Sequence, residues 1–134
     1  LACGMKFTVA VFGEAEEGSF ESAYLCSSLT DLHNNLGHGR DSPSGISLAV
    51  QAIMQGYDIL FFRVKEEGFF IDSYFFGLHF LNTQTSLTNI VALALPGVGD
   101  FNIIEASLAL CRKLKSLLLF SDQDLYDFLT FKDA

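Results

Sequence analysis

The chain has 134 residues, half of them hydrophobic, and its 16 acidic and 8 basic side chains give a net charge of −8. A chain of this length and composition is predicted to form one domain with a large core. The acidic balance argues against nucleic acid or an anionic membrane as a partner, because both are bound through basic patches, and no apolar run reaches the roughly 18 residues of a membrane span.

The first part of the chain predicts a strand and a helix. Residues 1–4 precede Met5, which we expect to be the native start. The domain is therefore predicted over residues 5–134, and residues 1–4 are expected to be an added or disordered leader. Residues 6–12 are β-branched and aromatic, which predicts strand 1. The spacing of the apolar residues predicts the first helix over residues 21–36.

The middle of the chain predicts two helices with a strand between them. The second helix is predicted to begin at Pro43, a residue well suited to the first helical position, and to end at Gly56. Residues 58–64 are almost continuously apolar and predict strand 2, buried on both faces. The third helix is predicted over residues 70–81, with an interruption at Gly77.

The last part of the chain predicts strand, helix, strand and helix. Strand 3 is predicted over residues 90–95 and runs into a glycine-rich turn. The helix that follows is predicted over residues 101–115, with Asp100 as its N-cap. Residues 116–120 predict strand 4, and a final helix is predicted from Ser121.

This alternation of strands and helices predicts the fold class. Strands with continuous apolar runs are typical of a parallel sheet covered by helices on both faces. We expect a three-layer, Rossmann-like α/β fold with about four strands in the order 2-1-3-4. That order places a crevice between strands 1 and 3, at their carboxyl ends, where open α/β sheets bind ligands.

The predicted ligand site lies where strands 1 and 3 end. A strand that ends in glycines and opens a helix presents backbone N–H groups to an anion. The residues predicted to bind the ligand are Gly13, Arg40, Pro96, Gly97, Gly99 and Asp100. The glycines suit a tight turn equally well, and the Asp100 carboxylate competes with a phosphate for the positive end of the helix.

A catalytic role is predicted for one residue only. Glu105 lies one turn into the helix after the glycines and is the candidate general acid or base, with an exposed helix side chain as the alternative. Arg63 and His38 either contact an anion or are solvated loop residues. The chain has three widely spaced cysteines. This pattern favours the reducing cytoplasm as the location of the protein and predicts no metal site. No cofactor is expected.

Four segments resemble the lysine-decarboxylase-like, cytokinin-activating phosphoribohydrolases. They are VAVFGEA at 9–15, SGISLAVQAIMQGYDILFFRV at 44–64, ALPGVGDFNIIE at 94–105 and SLLLF at 116–120. The resemblance implies a Rossmann-like dimer that hydrolyses the N-glycosidic bond of nucleoside monophosphates.

The family signature, Pro-Gly-Gly-x-Gly-Thr-x-x-Glu, is altered in this chain. The turn at 96–100 has one glycine fewer, Asp100 replaces the threonine, and Glu105 falls one position late. The partner arginine of the family has no counterpart on the third predicted helix. The resemblance therefore implies weak or no phosphoribohydrolase activity.

The chain has 14 phenylalanines and no tryptophan, and many of the rings cluster around strand 2 and the third predicted helix. Tyr74, Phe75, Phe76 and Phe80 make that helix apolar on most of its circumference. Such a helix is either buried in the core or forms the interface of a homodimer or of another complex.

Two functions of different classes follow from these patterns. The first is a domain that binds a nucleotide or sugar phosphate at the carboxyl ends of strands 1 and 3. The alternative is a non-enzymatic acidic module that regulates or neutralises a basic protein. The glycine turn favours the first, whereas the acidic loop at 13–19 and the altered signature favour the second.

Overall fold

A computed structural model describes residues 7–37, 44–83 and 89–131. Its strands are β1 Phe7–Gly13, β2 Ala23–Cys26, β3 Asp58–Arg63, β4 Asn89–Ala94 and β5 Leu117–Leu119. Its helices are α1 Leu29–Leu36, α2 Ser44–Met54, α3 Ile71–Thr83, α4 Phe101–Leu114 and α5 Asp122–Phe131. The predicted leader before Met5 lies outside the described residues.

The five strands form one sheet in the order β2-β3-β1-β4-β5. β1 pairs in parallel with β3 on one side and with β4 on the other, and β4 pairs in parallel with β5. The predicted α/β class with a mainly parallel sheet is therefore confirmed, as is the parallel pairing of predicted strands 1 and 3. Within the described residues, no helix is long and apolar enough to cross a bilayer.

The predicted count of about four strands is wrong, because the sheet has a fifth strand, β2, at its edge. β2 lies within the segment predicted as the first helix, and α1 begins only at Leu29. Glu21 has a φ of 57°, which takes the chain out of the helical path. The Glu21 N–H then donates to the Arg63 carbonyl at 2.7 Å, and the Arg63 N–H donates to the Ser22 carbonyl at 3.0 Å. These bonds start the antiparallel ladder between β2 and β3.

Helices cover both faces of the sheet. On one face, α1, α2 and α5 pack on side chains of β1 and β3, among them Val9, Val11 and Phe61. On the other face, α3 and α4 pack on side chains that include Ala10, Phe12 and Leu93. Alternate residues of each central strand thus enter opposite halves of the core, which explains why the middle of each strand is a continuous apolar run.

Gly77 allows α3 to approach the sheet closely. The predicted interruption at this glycine is wrong, since α3 is continuous from Ile71 to Thr83. A Cβ atom at Gly77 would overlap the rings of Phe12 and Phe62 in the strands below. The same approach stacks the rings of Phe12 and Tyr74 with their centroids 5.6 Å apart.

We predict that Gly77→Ala destabilises the protein by about 1–2 kcal/mol, because overpacking outweighs the higher helix propensity of alanine. Gly99→Ala is the matched control, since no atom lies within 4 Å of its added Cβ, and it should change the free energy of unfolding by less than about 0.5 kcal/mol. Urea denaturation measures both. A Gly77→Ala protein as stable as the wild type would contradict the close packing of α3.

Candidate functional site

Three loops meet at the carboxyl ends of the central parallel strands. They follow β1, β3 and β4, which lie side by side with β1 in the middle. This is the edge of the sheet at which the ligand crevice was predicted.

A carboxylate of the protein occupies the position that an anion would take at this edge. Glu67, in the loop after β3, accepts hydrogen bonds through one oxygen, Oε2, from the N–H groups of Glu14 at 2.9 Å and Gly45 at 3.0 Å. Gly45 is the second residue of α2, so its N–H has no acceptor within the helix. In return, Glu14 Oε2 accepts from the Glu67 N–H at 2.9 Å. The positive end of α2 is therefore neutralised by Glu67.

Gly13 and Gly45 bring the two donors of this cluster together. A Cβ atom on Gly13 would lie 2.8 Å from the Cα of Gly45, so the end of β1 touches the first turn of α2 backbone to backbone. The Gly13 carbonyl accepts from the Val64 N–H at 2.9 Å. Gly13, a predicted ligand residue, is thus buried in contact with α2 and β3.

The loop after β3 also lies against the glycine turn after β4. A Cβ atom on Gly68 would overlap the carbonyl oxygen of Gly97, so the two loops are in direct backbone contact. Gly97 has a φ of 80°, in the region that favours glycine. Of the other predicted ligand residues in this turn, Pro96 is buried and Gly99 is exposed. The loop after β3 thus crosses the end of β1, where it contacts both the loop after β1 and the turn after β4.

A second carboxylate lies at the N-terminus of α4. Asp100 Oδ1 accepts from the N–H groups of Asn102 at 2.9 Å and Ile103 at 3.1 Å, which confirms its prediction as N-cap. Glu105, the predicted acid or base, lies one turn further on and is exposed to solvent. Two of the N–H groups that the start of α4 would offer to a phosphate are thus bound to Asp100.

Arg63 holds the acidic loop after β1. Its Nη2 donates to the Ala15 carbonyl at 2.8 Å, its Nη1 donates to the Gly18 carbonyl, and its guanidinium lies 4.2 Å from the centroid of the Phe20 ring. Arg63 was predicted either to contact an anion or to be a solvated loop residue, and both of its terminal nitrogens are bonded to the protein itself. Arg40 and His38 lie outside the described residues.

The two described cysteines are buried thiols. Burial raises the pKa of Cys111 to about 11 and also raises the pKa of Cys26. Since the nucleophile is the thiolate, neither side chain is activated at neutral pH. Among the residues that the structure describes, no group of three or more His, Cys, Asp or Glu side chains is arranged to hold a metal ion.

The predicted interface residues of α3 separate into buried and exposed rings. Tyr74 is fully buried, where burial raises the pKa of its phenol to about 12, and its hydroxyl oxygen accepts from the Gly68 N–H at 2.8 Å. Phe80 is partly buried against the core. Phe75 and Phe76 are exposed by 38% and 55% of their surface. The exposed rings, and not Tyr74, are available to a partner.

Glu67 and Gly45 are site residues that the sequence analysis missed. Glu67 stands in a turn, Lys65–Gly68, whose composition indicates only a loop. Its hydrogen-bond partners are 22 and 53 positions away in the chain. No local pattern signals a contact of that range.

No family model matches the chain, and no curated protein and no solved structure is significantly similar to it. The resemblance to the phosphoribohydrolases therefore stays a prediction from the four segments.

We predict that Glu67→Gln destabilises the protein by about 1–2 kcal/mol, because it replaces a charge-assisted acceptor of two backbone bonds by a neutral one. Glu66→Gln is the control, since Glu66 is the exposed neighbour of the same charge, and its effect should stay below about 0.5 kcal/mol. Equal effects of the two substitutions in urea denaturation would refute the role of Glu67.

We also predict that Cys26 and Cys111 resist alkylation by iodoacetamide in the native protein at pH 7.5 and react fully once it is unfolded. Their burial both hides the sulfur atoms and disfavours the thiolate. Peptide mass spectrometry separates the two sites. Native alkylation at the rate of a free thiol would show that one of these cysteines is an accessible nucleophile.

Proposed function

We propose that this protein is a non-enzymatic, acidic module that binds a basic protein partner. The observation that carries the proposal is the Glu67 carboxylate, which accepts from the N–H groups of Glu14 and Gly45 at the edge where a phosphate would have to bind. The crevice of this α/β fold is used for internal bonds, so the exposed surface is the better candidate for function.

Electrostatics argues against a phosphorylated ligand in that crevice. A phosphate at the α2 N-terminus would have to displace Glu67, whose bonds to backbone N–H groups are charge-assisted and contribute about 1.5–3 kcal/mol each. The phosphate would then lie close to two carboxylates, those of Glu14 and Glu67, because each of these residues accepts a hydrogen bond from the backbone of the other. At the α4 N-terminus it would meet the Asp100 carboxylate. Each of these like charges raises the cost of binding.

The surface at the carboxyl ends of the strands combines aromatic rings with acidic side chains. Phe20, Phe69 and Phe70 are exposed there, in the loops after β1 and β3. The exposed acids Glu17 and Glu66 lie in the same two loops. Aromatic anchors within a charged rim are typical of protein interfaces, and the net charge of −8 selects a basic partner.

A second candidate is a domain that binds a nucleotide or sugar phosphate at the carboxyl ends of β1 and β4, with weak or no phosphoribohydrolase activity. It is favoured by the geometry of Glu14 and Gly45, whose N–H groups converge on one anionic oxygen. A phosphate oxygen could accept the same two bonds. This function requires the loop with Glu67 to move away, and Glu105 would then be the acid or base.

We predict that nucleoside monophosphates, sugar phosphates and dinucleotides leave the melting temperature of the wild-type protein unchanged. A ligand present at about 100 times its Kd would add about 2.7 kcal/mol of stability and raise the melting temperature by several degrees. The protein should also release no free base from nucleoside monophosphates. Turnover that disappears in Glu105→Ala, or a saturable thermal shift with one ligand class, would favour the second candidate instead.

A further inference from the structure

The two helices on one face of the sheet do not cover all five strands. A packed helix is about 10 Å wide and neighbouring strands are about 4.8 Å apart, so each helix covers roughly two strands. α3 lies over β1 and β3, where Gly77 contacts Phe12 and Phe62, and α4 lies over β4 and β5. Among the described residues 7–37, 44–83 and 89–131, the edge strand β2 therefore has no helix above it on this face, whereas three helices cover the opposite face.

Leu25 of β2 points to this open side. It pairs directly with Leu60 in the antiparallel ladder, and residues opposite each other in such a ladder have their side chains on the same face. Leu60 belongs to the core beneath α3. Leu25 is nevertheless 54% exposed, although it lies beside that core.

One side of α3 faces the same open area. Asp72, Phe76 and Phe80 are spaced by four residues and share that side of the helix. The Phe76 ring lies 6.2 Å from the ring of Phe62 in β3, which orients this side of α3 towards β2. Leu25, Phe76, Phe80 and Ala23 thus form an apolar surface, the β2–α3 strip.

Two acidic side chains and one basic side chain lie at one end of the β2–α3 strip. At its carboxyl end lies a surface cavity of about 420 Å³, lined by Glu21, Lys65, Phe70, Ile71, Asp72 and Ser73. Glu21 is held in place there by the Ser73 hydroxyl, which donates to its Oε2 at 2.6 Å. A second copy of the chain would bring another net charge of −8 to this strip, whereas a basic segment would be attracted to it.

We propose that the β2–α3 strip binds a basic amphipathic helix of the partner protein. This helix would lie over β2, beside α3, on the face of the sheet that α3 and α4 cover. The inference rests on the proposed function, and the strip adjoins the aromatic surface described there at Phe70, which lines the cavity at the end of the strip. The apolar side of the helix would pack on Leu25 and Phe76, and its basic side chains would pair with Glu21 and Asp72. This is the groove-binding mode of amphipathic helices, with the groove formed by a strand and a helix.

The test measures binding of a synthetic helical peptide of about 18 residues, with leucines along one side and lysines elsewhere, by isothermal titration calorimetry. Leu25→Asp and Phe76→Asp should each weaken binding by about tenfold or more. Leu117→Asp is the matched control, because Leu117 is a leucine of the opposite edge strand with 57% exposure, and its affinity should stay within about twofold of wild type. All three variants add the same negative charge, and at Leu25 and Phe76 this charge would itself attract the lysines of the peptide, so weaker binding there reports lost apolar contact.

A peptide of equal composition but scrambled leucine spacing should bind about tenfold more weakly, since it has no apolar side to place on the strip. Far-UV circular dichroism and melting temperature verify that each variant is folded.

If all variants bind the peptide equally, the strip is refuted but the acidic module is not, because charge alone then accounts for binding. If the wild type binds neither peptide, both proposals are overturned. A wild-type dimer in sedimentation that Leu25→Asp dissociates would identify a second copy as the occupant and overturn the basic helix.

Discussion

The arrangement of the loops depends on one carboxylate, that of Glu67. It joins three parts of the chain, because it stands after β3 and accepts from the loop after β1 and from the first turn of α2. Without a negative charge at this point, the N–H groups of Glu14 and Gly45 would face each other at the positive end of a helix. The next residue of the same loop, Gly68, lies in backbone contact with the turn at Gly97.

This internal anion changes the chemistry that the fold offers. In open α/β sheets, the carboxyl ends of the central strands bind ligands because helix N-termini and backbone N–H groups are left free there. Here Glu67 and Asp100 bind those groups at α2 and α4. Arg63 donates to the carbonyls of Ala15 and Gly18. The charged groups that face a ligand in other sheets of this class stabilise the loops of this one.

The proposed function lies on the outer surface of the protein. The two faces of the sheet are covered by helices to different extents. β2 extends the sheet by one strand past the part that α3 covers. Leu25 and Phe76, which lie next to the core, are therefore exposed to solvent. The same antiparallel strand starts where Glu21 leaves the helical path. A local change in the backbone thus creates both an additional strand and an apolar surface.

The sequence by itself determined the elements whose signals are local. Continuous apolar runs identified β1, β3 and β4, and Asp100 marked the start of α4, because burial and capping act through neighbours in the chain. Only the tertiary structure decided the rest. β2 forms because β3 supplies its hydrogen-bond partners, which overrides a helical spacing of apolar residues. The role of Glu67 depends on donors 22 and 53 residues away, and contacts of that range exist only once the sheet has brought its loops together.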